Sequence, residues 1–387
     1  PAFLPHTRKV VYLRDQELAY IKPNKVKYFN LQGDILNKEQ INIPYNYESV
    51  AKGNYKHFML KEIEDQAESV ISSLRSRVNF ESSTLTLENF PLSDAEIQSL
   101  NRVVFVGMGT SFNAASVGKL WMESLAGIQA DADNSSEFRY RNPILDSNTL
   151  VVAIGQSGET ADTLGAMEEA IKSKARVITI CNIEGSQATH LAEWTLYMRA
   201  GLEIGVASTK TFITSLIDLY VLCIYLGIKR KVLTENESKA AIANLASLPS
   251  AIGNVTNDHS QYQNLAKKLF KHPNFLFLGR GLNYPIAMEG ALKLKEVSYI
   301  HAEGYPAGEM KHGPIALIDE NLPVVALVTN YESRDKMLNN ISEVKVRGGI
   351  VISITTEGDD IVAKNSDYVI SIPKVAEPLS PVVTAIP

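Results

Sequence analysis

Cysteine is scarce: Cys181 and Cys223 are the 2 in 387 residues, and both sit inside apolar runs. A disulfide framework is therefore excluded, and buried free thiols in a reducing compartment are expected. A basic excess is also missing. Lys and Arg number 38 against 43 Asp and Glu, for a formal net charge of -5, which argues against a general nucleic-acid surface. Long apolar runs are absent too. Pro1 to Ile21 has no apolar core of signal-peptide length, and the most apolar helical stretch, Leu216 to Ile228, is interrupted by Asp218 and too short to span a bilayer. No membrane segment is expected, and the cytoplasm is the default location. None of the 7 histidines stands with a cysteine or a second histidine at ligand spacing, so neither a metal site nor a cofactor is expected.

What is present is ordinary globular composition, 45% apolar and 21% charged, in a chain long enough for two or three domains. Residues 1 to about 46 carry short strand-like runs, Val10 to Leu13, Leu18 to Ile21 and Val26 to Asn30, broken by polar turns. So few strands rarely stand alone, and they read as the trailing edge of a larger β-rich domain. Both ends of the chain read as cut from a longer protein. Tyr47 to Asn79 turns helical, and at Arg102 strands and helices begin to alternate. Strands are expected at Val103 to Gly107, Leu150 to Ile154, Val177 to Cys181 and Thr195 to Met198, with helices at Ser111 to Leu125, Leu164 to Lys174 and Ser208 to Leu226. After a helical stretch from Glu237 to Phe270 the pattern repeats, with strands at Phe275 to Gly279, Pro323 to Val328 and Ile350 to Thr355 and helices at Pro285 to Ile300 and Arg334 to Val346. The offset is about 175 residues, which predicts a duplicated α/β domain built on parallel sheets, with ligands beyond the carboxyl ends of the strands.

The stretch Gly155-Gln156-Ser157-Gly158-Glu159-Thr160-Ala161-Asp162-Thr163 lies between a buried strand and a helix. The first amides of a helix lack internal partners and carry partial positive charge, so such a turn can seat a phosphate. Ser157, Thr160 and Thr163 would add hydroxyl donors, and Gly155 and Gly158 let the backbone approach. The same residues also fit a second reading, plain helix capping. Gly205-Val206-Ala207-Ser208-Thr209-Lys210 opens another helix with the same two readings. The halves are unequal. Where the first has Gly109-Thr110-Ser111 and the hydroxyl loop, the second has Gly281-Leu282-Asn283 and Asn330-Tyr331-Glu332-Ser333.

The second half brings charge instead. Glu289, Lys293 and Glu296 share one helical face, which suits either a solvated ion-paired surface or a proton shuttle at a strand end. Downstream, Glu309 and His312 lie among Gly304, Pro306, Gly308, Gly313 and Pro314. That setting predicts a loop in which His312 acts as a general acid or base.

Taken in order, Gly109 to Asn113, Ser136 to Arg141, Gln156 to Thr163, Glu203 to Lys210, Leu292 to Glu303 and Glu309 to Pro314 resemble the glutamine:fructose-6-phosphate aminotransferase family. The resemblance runs from about residue 5 to the last residue. It implies two tandem sugar-isomerase (SIS) domains, each a doubly wound, flavodoxin-like parallel sheet flanked by helices. Residues 1–46 would be a glutaminase remnant plus linker, 47–232 the phosphate-binding SIS domain, and 233–387 a C-terminally truncated SIS domain carrying the catalytic helix.

In that family fructose 6-phosphate accepts ammonia from glutamine and becomes glucosamine 6-phosphate. By matching motif positions, Thr110, Ser111, Gln156, Ser157 and Thr160 would hold phosphate and sugar hydroxyls, and Val206 and Ser208 would line the sugar. Glu296 would move a proton between carbons 1 and 2, with Lys293 assisting at the oxygens. His312 would open the sugar ring from the neighbouring subunit, which implies a homodimer.

Three departures stand out. Gly155 occupies a position that is commonly serine, which leaves only its amide as a contact. The family's N-terminal cysteine nucleophile is not in this sequence, and its Schiff-base lysine belongs to a tail beyond Pro387. Two further readings remain: a hexosamine-phosphate deaminase or deglycase on the same two domains, or a non-catalytic sugar-phosphate sensor. The strand segment at 5–46 speaks against the first. The joint presence of Glu296, Lys293 and His312 speaks against the second.

Overall fold

The structure, a computed structural model, describes residues 6–42, 51–329 and 332–387. Expectations for Tyr47 to Val50 and for Asn330 and Tyr331 fall outside the described residues. The chain divides into two compact units, residues 1–57 and 58–387.

The first unit contains the expected meander in short pieces. β1 (Lys9–Val10) pairs antiparallel with β5 (Ile41–Asn42), and β2 (Glu17–Lys22), β3 (Lys25–Asn30) and β4 (Ile35–Leu36) form a second small sheet. Pro23 and Asn24 make the two-residue turn between β2 and β3. Leu18, Tyr20, Ile21 and Val26 remain exposed.

The second unit begins with helices α1 (Phe58–Glu64) and α2 (Gln66–Leu74), a hairpin of β6 (Val78–Asn79) and β7 (Thr84–Leu85), and α3 (Asp94–Ser99), whose N-terminus is closed by a reciprocal Ser93–Glu96 capping box. Its first large sheet holds β8 (Arg102–Gly107), β9 (Gln129–Asn134), β10 (Thr149–Gly155), β11 (Arg176–Cys181) and β12 (Trp194–Tyr197), all parallel, in the order β12-β11-β10-β8-β9. The connecting helices are α4 (Thr110–Trp121), α5 (Ser135–Phe138), α6 (Ala161–Lys172) and α7 (Gln187–Leu191); α8 (Lys210–Lys229) follows the last strand. Three further helices, α9 (Glu235–Leu245), α10 (Leu248–Thr256) and α11 (Ser260–Leu269), break up what the sequence suggested as one helical stretch.

The second sheet repeats the first. β13 (Asn274–Gly279), β14 (His301–Pro306), β15 (Pro323–Val328), β16 (Ile350–Thr356) and β17 (Tyr368–Ile372) are parallel in the order β14-β13-β15-β16-β17. Its helices are α12 (Asn283–Ser298), α13 (Arg334–Val346), α14 (Asp360–Lys364) and α15 (Ser380–Thr384). In both sheets the strand order, counted within the half, is 2-1-3-4-5, the flavodoxin-like winding, whose chain reversal between strands 1 and 3 opens a crevice at the carboxyl ends.

Strands buried on both faces explain the continuous apolar runs: every residue from Val103 to Gly107 and from Thr149 to Ile154 is buried. Burying each such Val, Ile or Phe contributes about 1.5–3 kcal/mol. One apolar cluster runs through both halves, including Phe105, Leu216, Ile286, Ala291 and Val325. Trp121 fastens the halves further: its Nε1 donates to the Pro378 carbonyl at 2.9 Å. Helix α8 lies close to the expected Ser208 to Leu226 and runs well beyond the apolar stretch Leu216 to Ile228 that the sequence offered as too short to span a bilayer. At 20 residues it passes the length and composition test for a membrane span, but 89% of its apolar window is buried within the fold, as in a core helix. Cys181 and Cys223 are free and buried, as expected.

Candidate active site

Four segments carry the expected site residues other than His312. The first is the turn from β8 into α4. An added Cβ on Gly107 would come within 2.9 Å of the Ser111 backbone, so glycine is what lets the helix start so close to the strand. Thr110 and Ser111 occupy the first two positions of α4. Thr110 Oγ1 donates to Glu289 Oε1 at 2.9 Å, and Asn113 Nδ2, one turn on, donates to Glu289 Oε2 at 2.7 Å.

The second segment joins β10 to α6. Gly158 sits at φ +67, and a Cβ there would lie 2.1 Å from Ser186 Oγ and 2.8 Å from Cys181 Sγ. Only glycine fits that position. The loop is tied to its neighbour by Asn182 N to Gln156 O at 3.1 Å and Ala188 N to Gly158 O at 3.0 Å. Ser157 Oγ accepts from Glu159 N at 3.2 Å. Thr160 is the N-cap of α6 and is exposed, yet its side chain makes no capping hydrogen bond. Thr163 turns inward to the Ser135 hydroxyl at 3.3 Å, which removes it from the loop surface. At Gly155 an added Cβ would meet nothing nearer than Gly158 N at 3.9 Å.

The third segment leads from Glu203 into α8, and here, of the two readings, the amides are already taken within the chain. The Glu203 carboxylate accepts from Thr209 N at 2.9 Å and Thr211 N at 3.2 Å, and also from the Thr211 hydroxyl. A carboxylate of the chain itself thus occupies this helix start. Val206 is fully exposed at 102%, and Ser208 Oγ lies 2.7 Å from Thr211 Oγ1.

The fourth segment is α12. Lys293 Nζ lies 2.6 Å from Glu296 Oε2, 3.3 Å from Glu289 Oε1 and 3.1 Å from Thr110 Oγ1. Glu289 is 4% exposed, and burial raises its pKa, partly offset by Lys293, Asn113 and Thr110. The solvated-face reading therefore fails for Glu289. It suits Glu296, which is exposed.

A cavity of about 490 Å³ takes in Ser208, Glu289 and Lys293, with Phe212, Phe277 and Leu327 among its apolar lining. Thr110 and Ser111 follow the strand next to the one that leads into the 155–160 loop. The structure thus brings Thr110, Glu289, Lys293 and Glu296 into direct contact, and it places Ser208 on the same cavity. His312 stands apart, exposed at the end of the 3₁₀ turn Ala307–His312. Among the described residues no hydrogen bond or ion pair joins it to Glu296 or Lys293. Sequence reasoning missed Asn113, whose only signal was a polar residue one turn after Thr110. It also missed Glu62 on α1, which accepts from the amides of Ile204 and Gly205. Among the described residues no three His, Cys, Asp or Glu side chains gather as metal ligands would.

The SIS domain model matches residues 96–225 and 268–387, one match per sheet. The chain belongs to the SIS domain family. Within that family it is 43% identical over 385 residues to the glutamine–fructose-6-phosphate aminotransferase [isomerizing] of Methanosarcina mazei. It is 42% identical over 387 residues to the protein of that name from Aquifex aeolicus. In both cases this SIS chain is matched over its full length but spans 62% of the relative. The C-terminal domain of glucosamine-fructose-6-phosphate aminotransferase from Francisella tularensis superposes with a TM-score of 0.82 at 36% identity, covering 87% of this chain and 94% of that one. A glucosamine-6-phosphate deaminase from Thermotoga maritima shares 22% identity at a TM-score of 0.63, over 85% of this chain and 92% of that one, a likeness of fold alone.

Proposed function

We propose that this chain is the sugar-phosphate isomerase part of an isomerising glutamine–fructose-6-phosphate aminotransferase. It binds fructose 6-phosphate, which in the intact enzyme condenses with ammonia at carbon 2, loses water and rearranges to glucosamine 6-phosphate. Residues 47–232 supply the anion grip and residues 233–387 the acid–base groups. The enzyme works in the cytoplasm as a homodimer.

The observation that carries this reading is the Thr160 hydroxyl, which caps nothing although it occupies the N-cap of α6. Capping was the competing account of this loop, and it does not use that hydroxyl. Thr160 and Ser157, with the first amides of α6, suit a phosphate. Thr110 and Ser111 at the adjacent helix start, the Gln156 side chain and the Gly155 amide complete the grip, and Val206 and Ser208 line the sugar.

The phosphate lies remote from the reacting carbons and its binding holds them in place. Glu296 takes a proton from carbon 1 and returns it to carbon 2, while the Lys293 ammonium faces the oxygens on which charge develops. Lys293 at 2.6 Å orients the Glu296 carboxylate. His312, exposed on its turn and, among the described residues, without a hydrogen bond or ion pair to Glu296 or Lys293, opens the sugar ring in the site of the neighbouring subunit.

Titration calorimetry with fructose 6-phosphate tests the grip. Thr160→Ala should weaken binding by about tenfold, the scale of one charge-assisted hydrogen bond, and equal affinities would remove the loop from the site. A coupled assay for glucose 6-phosphate formation tests the chemistry: Glu296→Gln should abolish the rate.

A further inference from the structure

Helix α1 is seven residues long, and the one residue it buries is a carboxylate, Glu62, at 2% exposure. Burying a carboxylate is unfavourable unless hydrogen bonds replace the lost water. Glu62 finds them on the segment that leads into the candidate site. Its Oε1 accepts from Ile204 N and from Gly205 N at 3.0 Å, and its Oε2 lies 3.1 Å from Gly205 N. The fit is tight: a Cβ on Gly205 would lie 2.4 Å from Glu62 Oε2 and 3.6 Å from Met59 Cα. Four residues on, Thr209 N donates to Glu203 at 2.9 Å. Two carboxylates therefore grip an irregular backbone on either side of Val206, Ala207 and Ser208. Between them Val206 stands fully exposed, and Ser208 opens onto the cavity shared with Glu289 and Lys293.

We propose that Glu62 is a positioning residue that sets the 204–208 backbone as the sugar-side wall of the site, and so governs affinity for the sugar rather than for its phosphate. The inference rests on the sugar-phosphate reading above. The phosphate loop at 155–160 hangs on β10, β11 and α6 and makes none of these bonds. It meets the wall segment at its start, through Asn182, whose N donates to Gln156 O at 3.1 Å while its side chain donates to Gly201 O at 2.7 Å and accepts from Ala200 N at 3.0 Å. Glu62 acts beyond that link, on the sugar side. Fixing the wall before the ligand arrives removes an ordering penalty from binding.

The test measures fructose 6-phosphate affinity by calorimetry and inorganic phosphate affinity by ³¹P line broadening, on wild type, Glu62→Gln and Gly205→Ala. Glutamine turns an NH₂ toward backbone donors. The alanine Cβ pushes the loop off an intact Glu62, and it keeps the test available should Glu62→Gln fail to fold. Each variant should bind fructose 6-phosphate about tenfold more weakly while holding inorganic phosphate within about twofold of wild type. Unchanged fructose 6-phosphate affinity in a folded variant would overturn the proposal. So would a parallel loss of both ligands, which would make Glu62 a general structural support. A wild type that binds neither ligand defeats the sugar-phosphate reading itself, a result distinct from wild-type binding that the variants leave unaltered.

Discussion

Lys293 Nζ lies 3.1 Å from Thr110 Oγ1, although the residues are 183 positions apart and sit on helices of opposite halves. The lysine has three donors, and Thr110, Glu289 and Glu296 offer three acceptors within 3.3 Å. Its ammonium is thus placed by both halves before any ligand binds. Of the three acceptors Glu296 is the exposed one.

Thr110→Val keeps the shape of the bridge and deletes its hydroxyl. Glu289 then loses a donor in a buried setting and Lys293 loses an acceptor, so folding should weaken by about 1–3 kcal/mol. Fructose 6-phosphate affinity should fall by about tenfold as the lysine is released. Urea midpoints and calorimetry read the two effects. A variant with wild-type stability and wild-type affinity would show that the bridge does nothing.

Two glycines of the 155–160 loop should respond in opposite ways. At Gly158 the positive φ and the 2.1 Å approach to Ser186 Oγ leave no room for a methyl group, so Gly158→Ala should lower stability by about 2 kcal/mol or more and distort the loop. At Gly155 the nearest atom to an added Cβ is 3.9 Å away. Gly155→Ser should therefore stay within about 0.5 kcal/mol of wild type and, by supplying one more hydroxyl, tighten fructose 6-phosphate binding by about threefold. Thermal melts and calorimetry on the pair check both.

Most of the fold is legible in the sequence because central parallel strands must be apolar on both faces: Val103 to Gly107, Leu150 to Ile154 and Phe275 to Gly279 announce themselves. β17 is not among the expected strands despite its β-branched residues, and β9 and β14 do not announce themselves. Those last two hold equivalent places at the edges of the two sheets, where one side has no neighbour and polar residues are tolerated. Gln129-Ala130-Asp131-Ala132-Asp133-Asn134 lacks β-branched residues altogether, and His301 to Pro306 contains the glycine and proline that read as a loop. In the site, Thr110, Lys293 and Glu296 are legible as polar groups at strand ends and on a helix face. Glu62 and Asn113 are not, because a glutamate on a polar helix and an asparagine within a helix look solvated until the long-range fold buries them.

Thiol chemistry follows from burial. Cys181 and Cys223 are each 0% exposed, and desolvation raises both thiol pKa values. Neither should react with Ellman's reagent in the native protein at neutral pH, whereas both should be titrated in denaturant. Rapid labelling of Cys181 in the native state would mean that the 155–160 loop opens away from β11.

The pH dependence of stability should carry the mark of one buried carboxyl. Asp218 on α8 is 0% exposed; Arg77 Nη1 lies 2.5 Å from its Oδ1 and Ser73 Oγ 2.7 Å, while Oδ2 has no hydrogen-bond partner among the described residues. Desolvation outweighs the arginine and pushes the carboxyl from its ordinary 3.8 up to about 6. Between those values the native state holds a proton that the unfolded chain has released, so stability falls as pH rises through the window. The contribution is fully present below the ordinary value and lost above about pH 6. Other carboxylates titrate too, Glu289 in the same direction and Glu96 in the opposite one, so the measurement is a difference: urea midpoints of wild type and Asp218→Asn at pH values from 7 down to 4.5. Wild type should gain on the variant as pH falls, on the order of 3 kcal/mol over the full shift. A difference that stays flat, or one that shrinks toward low pH, would mean that Arg77 stabilises the ionised carboxylate more than burial penalises it.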